Sequence, residues 1–233
     1  MLPDAEAVAE AAAALFGGLA RRAAARRGRF AVALAGGATP LGCYRRLAEP
    51  PHRDAIPWAR VHVFWGDERC VPPDDPRSNE GAARAALLDR VPIPAAQVHP
   101  IRCAGDPDGA ARDYERVLAA FLAGKPPRFD LTLLGLGADG HTASLFPASP
   151  ALAERRRRAV AVPDRDPPRV TLTPALLARS RRVVFLVAGA AKAAAVRDAL
   201  AAGGPADLPA RRVDRGAGRA LWLLDRDAAG LLG

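Results

Sequence analysis

The sequence predicts an α/β protein with a Rossmann-like, mostly parallel sheet and helices on both of its faces. Three observations carry that expectation. Short, continuous apolar runs recur along the 233 residues, segments with helical spacing separate most of them, and glycines or ionisable residues gather where several runs end. Alternating strands and helices call for parallel pairing, and in such sheets ligands bind beyond the carboxyl ends of the strands. No internal repeat, low-complexity linker or composition break divides the chain, so a single domain over residues 1–233 is expected.

Residues 4–27 place Val8, Leu15 and Leu19 at helical spacing and stop at Gly28, which predicts a first helix. Phe30–Leu34 reads as a buried parallel strand stopped by Gly36 and Gly37, and Pro40–Ala48 as the helix that follows it. Further strands are expected at Val61–Trp65, Phe129–Leu134, Arg182–Val187 and Ala220–Leu224. Helices are expected at Gly81–Arg90, Ala110–Leu122, Ala175–Ser180 and Ala191–Ala202. The proline-rich stretches around 71–76, 92–100 and 163–168 read as ordered loops.

Composition narrows the class. Half of the residues are hydrophobic and the net charge is +9, but only Lys125 and Lys192 among the 34 basic residues are lysine, beside 54 alanines. That bias reads as GC-rich coding spread along the chain rather than as a nucleic-acid surface, so no nucleic-acid partner is expected. The dense basic run Arg155–Arg158 has no aromatic neighbour for base stacking and reads as a solvated helix end. Asp4, Glu6 and Glu10 argue against a transit peptide at the N-terminus. No apolar run approaches the roughly 18 residues that cross a bilayer, so no membrane partner is expected. Cys43, Cys70 and Cys103 are odd in number, far apart and without a C-x-x-C, which supports neither a disulfide scaffold nor a zinc ribbon and makes a reducing compartment the default.

Three loops carry the candidate chemistry. After the first strand, Gly36 and Gly37 allow a sharp turn with bare N–H groups, Thr39 adds a hydroxyl, and Pro40 opens a helix whose N-terminus favours an anion. The turn reads equally as a phosphate cradle or as a tight connection without a ligand. There is no G-K-[ST], which speaks against a nucleotide-hydrolysing P-loop. After the second strand, Asp67, Glu68 and Arg69 precede a proline-rich loop and Asn79, a polar group that either converges on a substrate or forms a solvated Asp–Arg pair.

The third loop is the most informative. Gly135, Gly137 and Gly140 fit G-x-G-x-x-G, but past the middle of the chain and ahead of a loop with Pro147 and Pro150, so a dinucleotide site lacks its context. Asp139 and His141 stand two apart across a glycine, where a carboxylate can fix the tautomer of an imidazole that serves as general base. Arg169 and Lys192 add cations near strand ends, and a lysine in the first turn of a helix is unfavourable unless an anion shares its site. His52, His62 and His99 have no metal-ligand spacing, and H-E-x-x-H and G-x-S-x-G are both absent, so neither a metal centre nor a serine-hydrolase elbow is expected.

In order, the blocks LAGGATP, FWGDERCVPPDDPRSNEG, LGLGADGHTASLFP and RVTLTPALL, with the later VAGAAKAAAV, resemble the 6-phosphogluconolactonase family. That family lies in a superfamily shared with glucosamine-6-phosphate deaminase. The resemblance implies a Rossmann-like fold and cofactor-free, metal-independent hydrolysis of 6-phospho-D-glucono-1,5-lactone in the oxidative pentose phosphate pathway. It implies that His141 activates water beside Asp139 and that Gly37 and Thr39 match the phosphate loop. Arg169 and Lys192 match the phosphate-binding cations, and Asp67, Glu68, Arg69 and Asn79 the block that lines the pocket. Ala38 stands where the family usually has serine, which removes one hydroxyl contact. The deaminase branch places a glutamate where this chain has Phe146, so the lactonase is favoured and a sugar-phosphate isomerase or deaminase is the alternative. A cytoplasmic monomer or weak homo-oligomer is expected.

Overall fold

The computed structural model describes residues 1–103, 105–123, 128–218 and 220–233, so that Lys125 lies outside the described residues. The first helix, α1 (Ala5–Arg27), begins where the Asp4 carboxylate accepts the Ala7 N–H at 2.8 Å and ends at Gly28, whose left-handed φ of 73° closes the last turn onto Ala24. β1 (Phe30–Leu34) follows, buried at all five residues, and leads through the glycine turn into α2 (Ala38–Leu47), which packs against α1. After a single turn, α3 (His52–Ala55), the chain forms β2 (Val61–Trp65) and, past Gly66, β3 (Asp67–Arg69). Then come α4 (Asn79–Ala86), capped by Ser78, the short edge strand β4 (Val98–His99) and α5 (Pro107–Phe121). The second half holds β5 (Leu131–Leu134), β6 (Ala159–Val162), β7 (Arg169–Leu172), α6 (Pro174–Ala178), β8 (Val183–Val187), α7 (Ala193–Leu200), α8 (Pro209–Gly216) and β9 (Leu221–Leu224).

Six of the strands form one sheet in the order β4-β2-β1-β5-β8-β9, every pairing parallel. Counted within the sheet the order is 3-2-1-4-5-6, the doubly wound arrangement, and the direction of winding reverses between β1 and β5. The loops leaving those two strands therefore diverge and open a crevice at the carboxyl edge. Full burial of β1, β5 and β8 is what parallel strands covered on both sides require. Phe16, Phe30, Phe64, Phe129 and Phe185 are wholly buried among the aliphatic side chains, each contributing about 1.5–3 kcal/mol on transfer from water.

Besides the short strand β4, which falls in the 92–100 stretch that reads as a loop, four features depart from the sequence expectations. A second sheet, antiparallel and ordered β3-β7-β6, overhangs the carboxyl edge. It exists because the chain turns at Gly66, whose N–H donates to Leu34 in the first sheet while its carbonyl accepts from Leu172 in the second. A side chain there would crowd the Leu34 carbonyl at 3.3 Å. Arg155–Arg158 is not a helix end: the run enters β6 after a 3₁₀ turn, with Arg157 paired to Glu154 and Arg158 to Glu115. The predicted helix at Gly81–Arg90 starts earlier, at Asn79, and closes as a separate 3₁₀ turn over Leu88–Arg90.

The cysteines are the fourth departure. Cys70 and Cys103 form a disulfide across a separation of 33 residues, with Cα atoms 4.9 Å apart, while Cys43 stays reduced and buried in α2. Spacing concealed the pair. Because β4 runs parallel to β2, the chain leaving β4 travels the same way as the chain leaving β2 and passes beside the loop after β3.

Candidate active site

A cavity of about 340 Å³ lies at the carboxyl edge of the large sheet, where the loops after β1 and β5 diverge. Its floor is the glycine turn. Gly37 has φ of 102°, which an L side chain resists, and precedes the first turn of α2, so that unpaired N–H groups and the positive end of the helix dipole face the space. Gly36 is required for a different reason. A Cβ there would stand 2.0 Å from the Asn79 amide oxygen.

Asn79 and Asp67 form one wall. Asn79 donates through Nδ2 to the Asp67 carbonyl at 2.9 Å, and the Asp67 carboxylate accepts from Ser144 Oγ at 2.6 Å. Glu68, expected in the same pocket, does not line it. Alternation along β3 turns its side chain away, and the carboxylate accepts instead from the backbone N–H groups of Arg69, Asn79 and Glu80 and from Ser78 Oγ. Burial pushes the Glu68 carboxyl above its ordinary value, and the three backbone donors oppose that. Glu68 thus builds the loop that places Asn79.

Arg69 and Arg169 lie directly opposite one another across β3 and β7, and both reach the cavity. Like charges at facing positions repel, and the Nε atom of each is buried without a partner. Burial, then Arg69, pushes the Arg169 guanidinium below its ordinary value, with Asp67 opposing and Arg165 adding to the depression. Lys192 enters from the opposite side, at the start of α7, and makes no ion pair among the described residues. Three cations from distant segments therefore surround a space that one carboxylate, Asp67, shares.

His141 completes the lining. Its Nδ1 lies 2.6 Å from Asp139 Oδ1, and its backbone N–H donates to the same oxygen at 3.1 Å. Asp139 itself is outside the lining and acts through the ring. Partial burial raises its carboxyl, but the donors of His141 outweigh that and hold it below the ordinary carboxylate value. With Nδ1 donating to Asp139, Nε2 keeps its lone pair. Gly137 makes room for this pair, since a Cβ would meet Nδ1 at 2.0 Å and Asp139 Oδ1 at 2.5 Å. Leu208, leading into α8, packs where Gly140 has no side chain, and Ala210 donates its N–H to the Gly140 carbonyl, so α8 braces the turn from outside.

Of the residues singled out in the sequence, Gly36, Gly37, Thr39, Asp67, Arg69, Asn79, His141, Arg169 and Lys192 line one cavity. Sequence reasoning missed Ser144, whose only signal was its place after His141, and missed the contacts of Phe146, whose ring lies 4.6 Å from that of His141. It also missed Ala143, a lining residue held at a positive φ of 49°. Among the described residues no group of three or more His, Cys, Asp or Glu is placed to hold a metal ion.

The fold and the cavity define an α/β protein with a doubly wound sheet, a His–Asp pair and clustered cations at its switch point. The chain belongs to the family described as glucosamine-6-phosphate isomerases/6-phosphogluconolactonase, whose model matches residues 3–222. It is 49% identical over 213 residues to a 6-phosphogluconolactonase of Synechocystis sp., covering 89% of this chain and 86% of that protein. It is 45% identical to a 6-phosphogluconolactonase of Mycobacterium tuberculosis, over 100% of this chain and 97% of the relative. The solved structure of 6-phosphogluconolactonase from Trypanosoma cruzi superposes with a TM-score of 0.86 at 30% identity, covering 100% of this chain and 95% of that one.

Proposed function

We propose that the protein hydrolyses 6-phospho-D-glucono-1,5-lactone to 6-phospho-D-gluconate, the second step of the oxidative pentose phosphate pathway, in one catalytic domain spanning residues 1–233. The observation that carries this reading is the juxtaposition of an Asp-oriented imidazole with three cations in one small cavity. His141 takes a proton from water through Nε2 as the water oxygen attacks C1, a contribution of about 10²–10⁴ in rate. The carbonyl electron pair moves onto its oxygen, and Arg69 or the N–H groups of the glycine loops stabilise that oxyanion. When the intermediate collapses, the C1 bond to the ring oxygen breaks and the imidazolium returns its proton to the departing alkoxide. The glycine turn, Arg169 and Lys192 hold the remote phosphate, whose binding energy orients the ring against His141.

Phe146 offers no carboxylate for the ring opening and isomerisation of an amino-sugar phosphate. The reading places the enzyme in the cytoplasm as a monomer or weak homo-oligomer, with no nucleic-acid partner; no helix among the described residues is long and apolar enough to cross a membrane. The test is a coupled assay on freshly generated lactone, corrected for spontaneous hydrolysis. The wild-type protein accelerates the reaction and His141→Ala lowers kcat by roughly two to four orders of magnitude. A near-normal kcat in that variant removes His141 from the role of base.

A further inference from the structure

Phe146 brings a third group, Arg165, to two residues of the cavity lining, His141 and Arg169. Its ring centroid lies 4.6 Å from the His141 ring, 3.9 Å from the Arg165 guanidinium carbon and 5.5 Å from that of Arg169. The ring itself is 7% exposed, whereas Arg165 is exposed on the loop joining β6 to β7. Arg165 makes no ion pair and no side-chain hydrogen bond among the described residues. A free surface arginine gains entropy by moving through solvent, so one stacked on an aromatic face is held there by cation–π attraction, which operates within about 6 Å. His141 and Arg169, the ring's other two neighbours, line the cavity that also gathers Arg69 and Lys192, and Arg165, outside that lining, is near enough to Arg169 to act on its charge.

We infer that Arg165 is a further substrate-binding residue, a guanidinium stacked beside Arg169 that engages the anionic group of the incoming substrate, and that Phe146 is the positioning residue that holds both Arg165 and the His141 ring. The inference rests on the proposed lactone hydrolysis for its substrate, a phosphorylated sugar lactone, but not for its geometry. The ring has two consequences. It packs on a face of the His141 ring, whose Nδ1 edge Asp139 holds, and it keeps a cation beside Arg169 where its field adds to those that draw a dianion inward. Neither Arg165 nor Phe146 takes or gives a proton.

The test is steady-state kinetics on the intact protein at low and high salt, with Arg165→Ala, Arg165→Lys, Phe146→Leu and the double variant Phe146→Leu/Arg165→Ala. Arg165→Ala raises KM about 3–10-fold at low salt, chiefly in KM rather than kcat, and the increase shrinks as salt screens the charge. Arg165→Lys recovers part of it by keeping the charge. Phe146→Leu, which keeps apolar volume and loses the π face, lowers kcat roughly 3–10-fold and raises KM, and in that background Arg165→Ala adds little. A KM for Arg165→Ala within 1.5-fold of wild type at low salt overturns the role of Arg165, and wild-type kinetics for Phe146→Leu reduces the ring to filler. Binding of inorganic phosphate to wild type and Arg165→Ala, followed by calorimetry, separates this inference from the lactonase reading. Weaker phosphate binding by the variant supports Arg165 even if the wild type hydrolyses no lactone, and equal binding counts against it.

Discussion

His141 is held on three sides, by Asp139 at Nδ1, by Phe146 on its face and by the space that Gly137 leaves empty. Each support predicts a distinct failure. Asp139→Asn keeps the shape but offers the imidazole an amide in place of a carboxylate, and kcat falls about 10–100-fold while the melting temperature changes little. The Asp139 carboxyl is held below its ordinary value, so its contribution to stability is present above the unfolded value of about 3.9 and is lost only as pH falls through the lower folded one. Gly137→Ala is the harsher change, because the new methyl group occupies the site of Nδ1, and activity falls with circular dichroism unchanged. Lys192→Ala leaves the base intact and removes a charged contact worth about 1.5–3 kcal/mol, so KM rises roughly 10–150-fold with a smaller change in kcat. Unchanged affinity for phosphorylated ligands places that lysine outside the phosphate site.

At the scale of elements, the disulfide ties the exit of β3 to the loop after β4, and the chain-entropy account of a closed loop of this length gives about 4 kcal/mol as an upper figure. A Cys70→Ser/Cys103→Ser variant should melt on the order of 10 °C lower, and a melting temperature unchanged by reductant would show that the bond bears no load. The neighbouring edge of the large sheet carries a second dependence. His62 on β2 and His99 on β4 stack with ring nitrogens 3.3 Å apart, beside Phe64 and Phe121. Burial, then His99 and Arg29, pushes His62 below its ordinary value, and burial pushes His99 the same way. Histidines held below their unfolded value of about 6.5 contribute stability that is complete above it and is lost as pH falls toward the folded values. His62→Phe should therefore flatten the loss of melting temperature between pH 7 and pH 5, and an identical slope in wild type and variant would exclude the pair as its source.

For the whole molecule, five of the six strands of the large sheet were legible in the sequence as short apolar runs, most plainly the fully buried β1, β5 and β8, whereas the two-residue edge strand β4 was hidden in a stretch that reads as a loop. The small sheet was not legible. β3 is three polar residues, and β6 is a four-residue apolar segment that directly follows a run of arginines. Most of the cavity was legible because glycines and ionisable residues stand at strand ends, where a parallel sheet gathers them. Glu68 misled because composition cannot reveal which way a side chain points along a strand; Ser144 and Arg165 stayed silent because their partners lie far away in sequence, and Phe146 spoke only through the carboxylate it lacks, not through its contacts. The facing of Arg69 and Arg169 across β3 and β7 has one more consequence. Two guanidinium groups brought together by strand register make an empty cavity the least favourable state of the fold, and any dianion that enters relieves it. Buffer choice then becomes a thermodynamic variable: at matched ionic strength, phosphate at a hundredfold excess over its Kd should raise the melting temperature by roughly 5–10 °C relative to chloride, and Arg169→Ala should erase much of that difference.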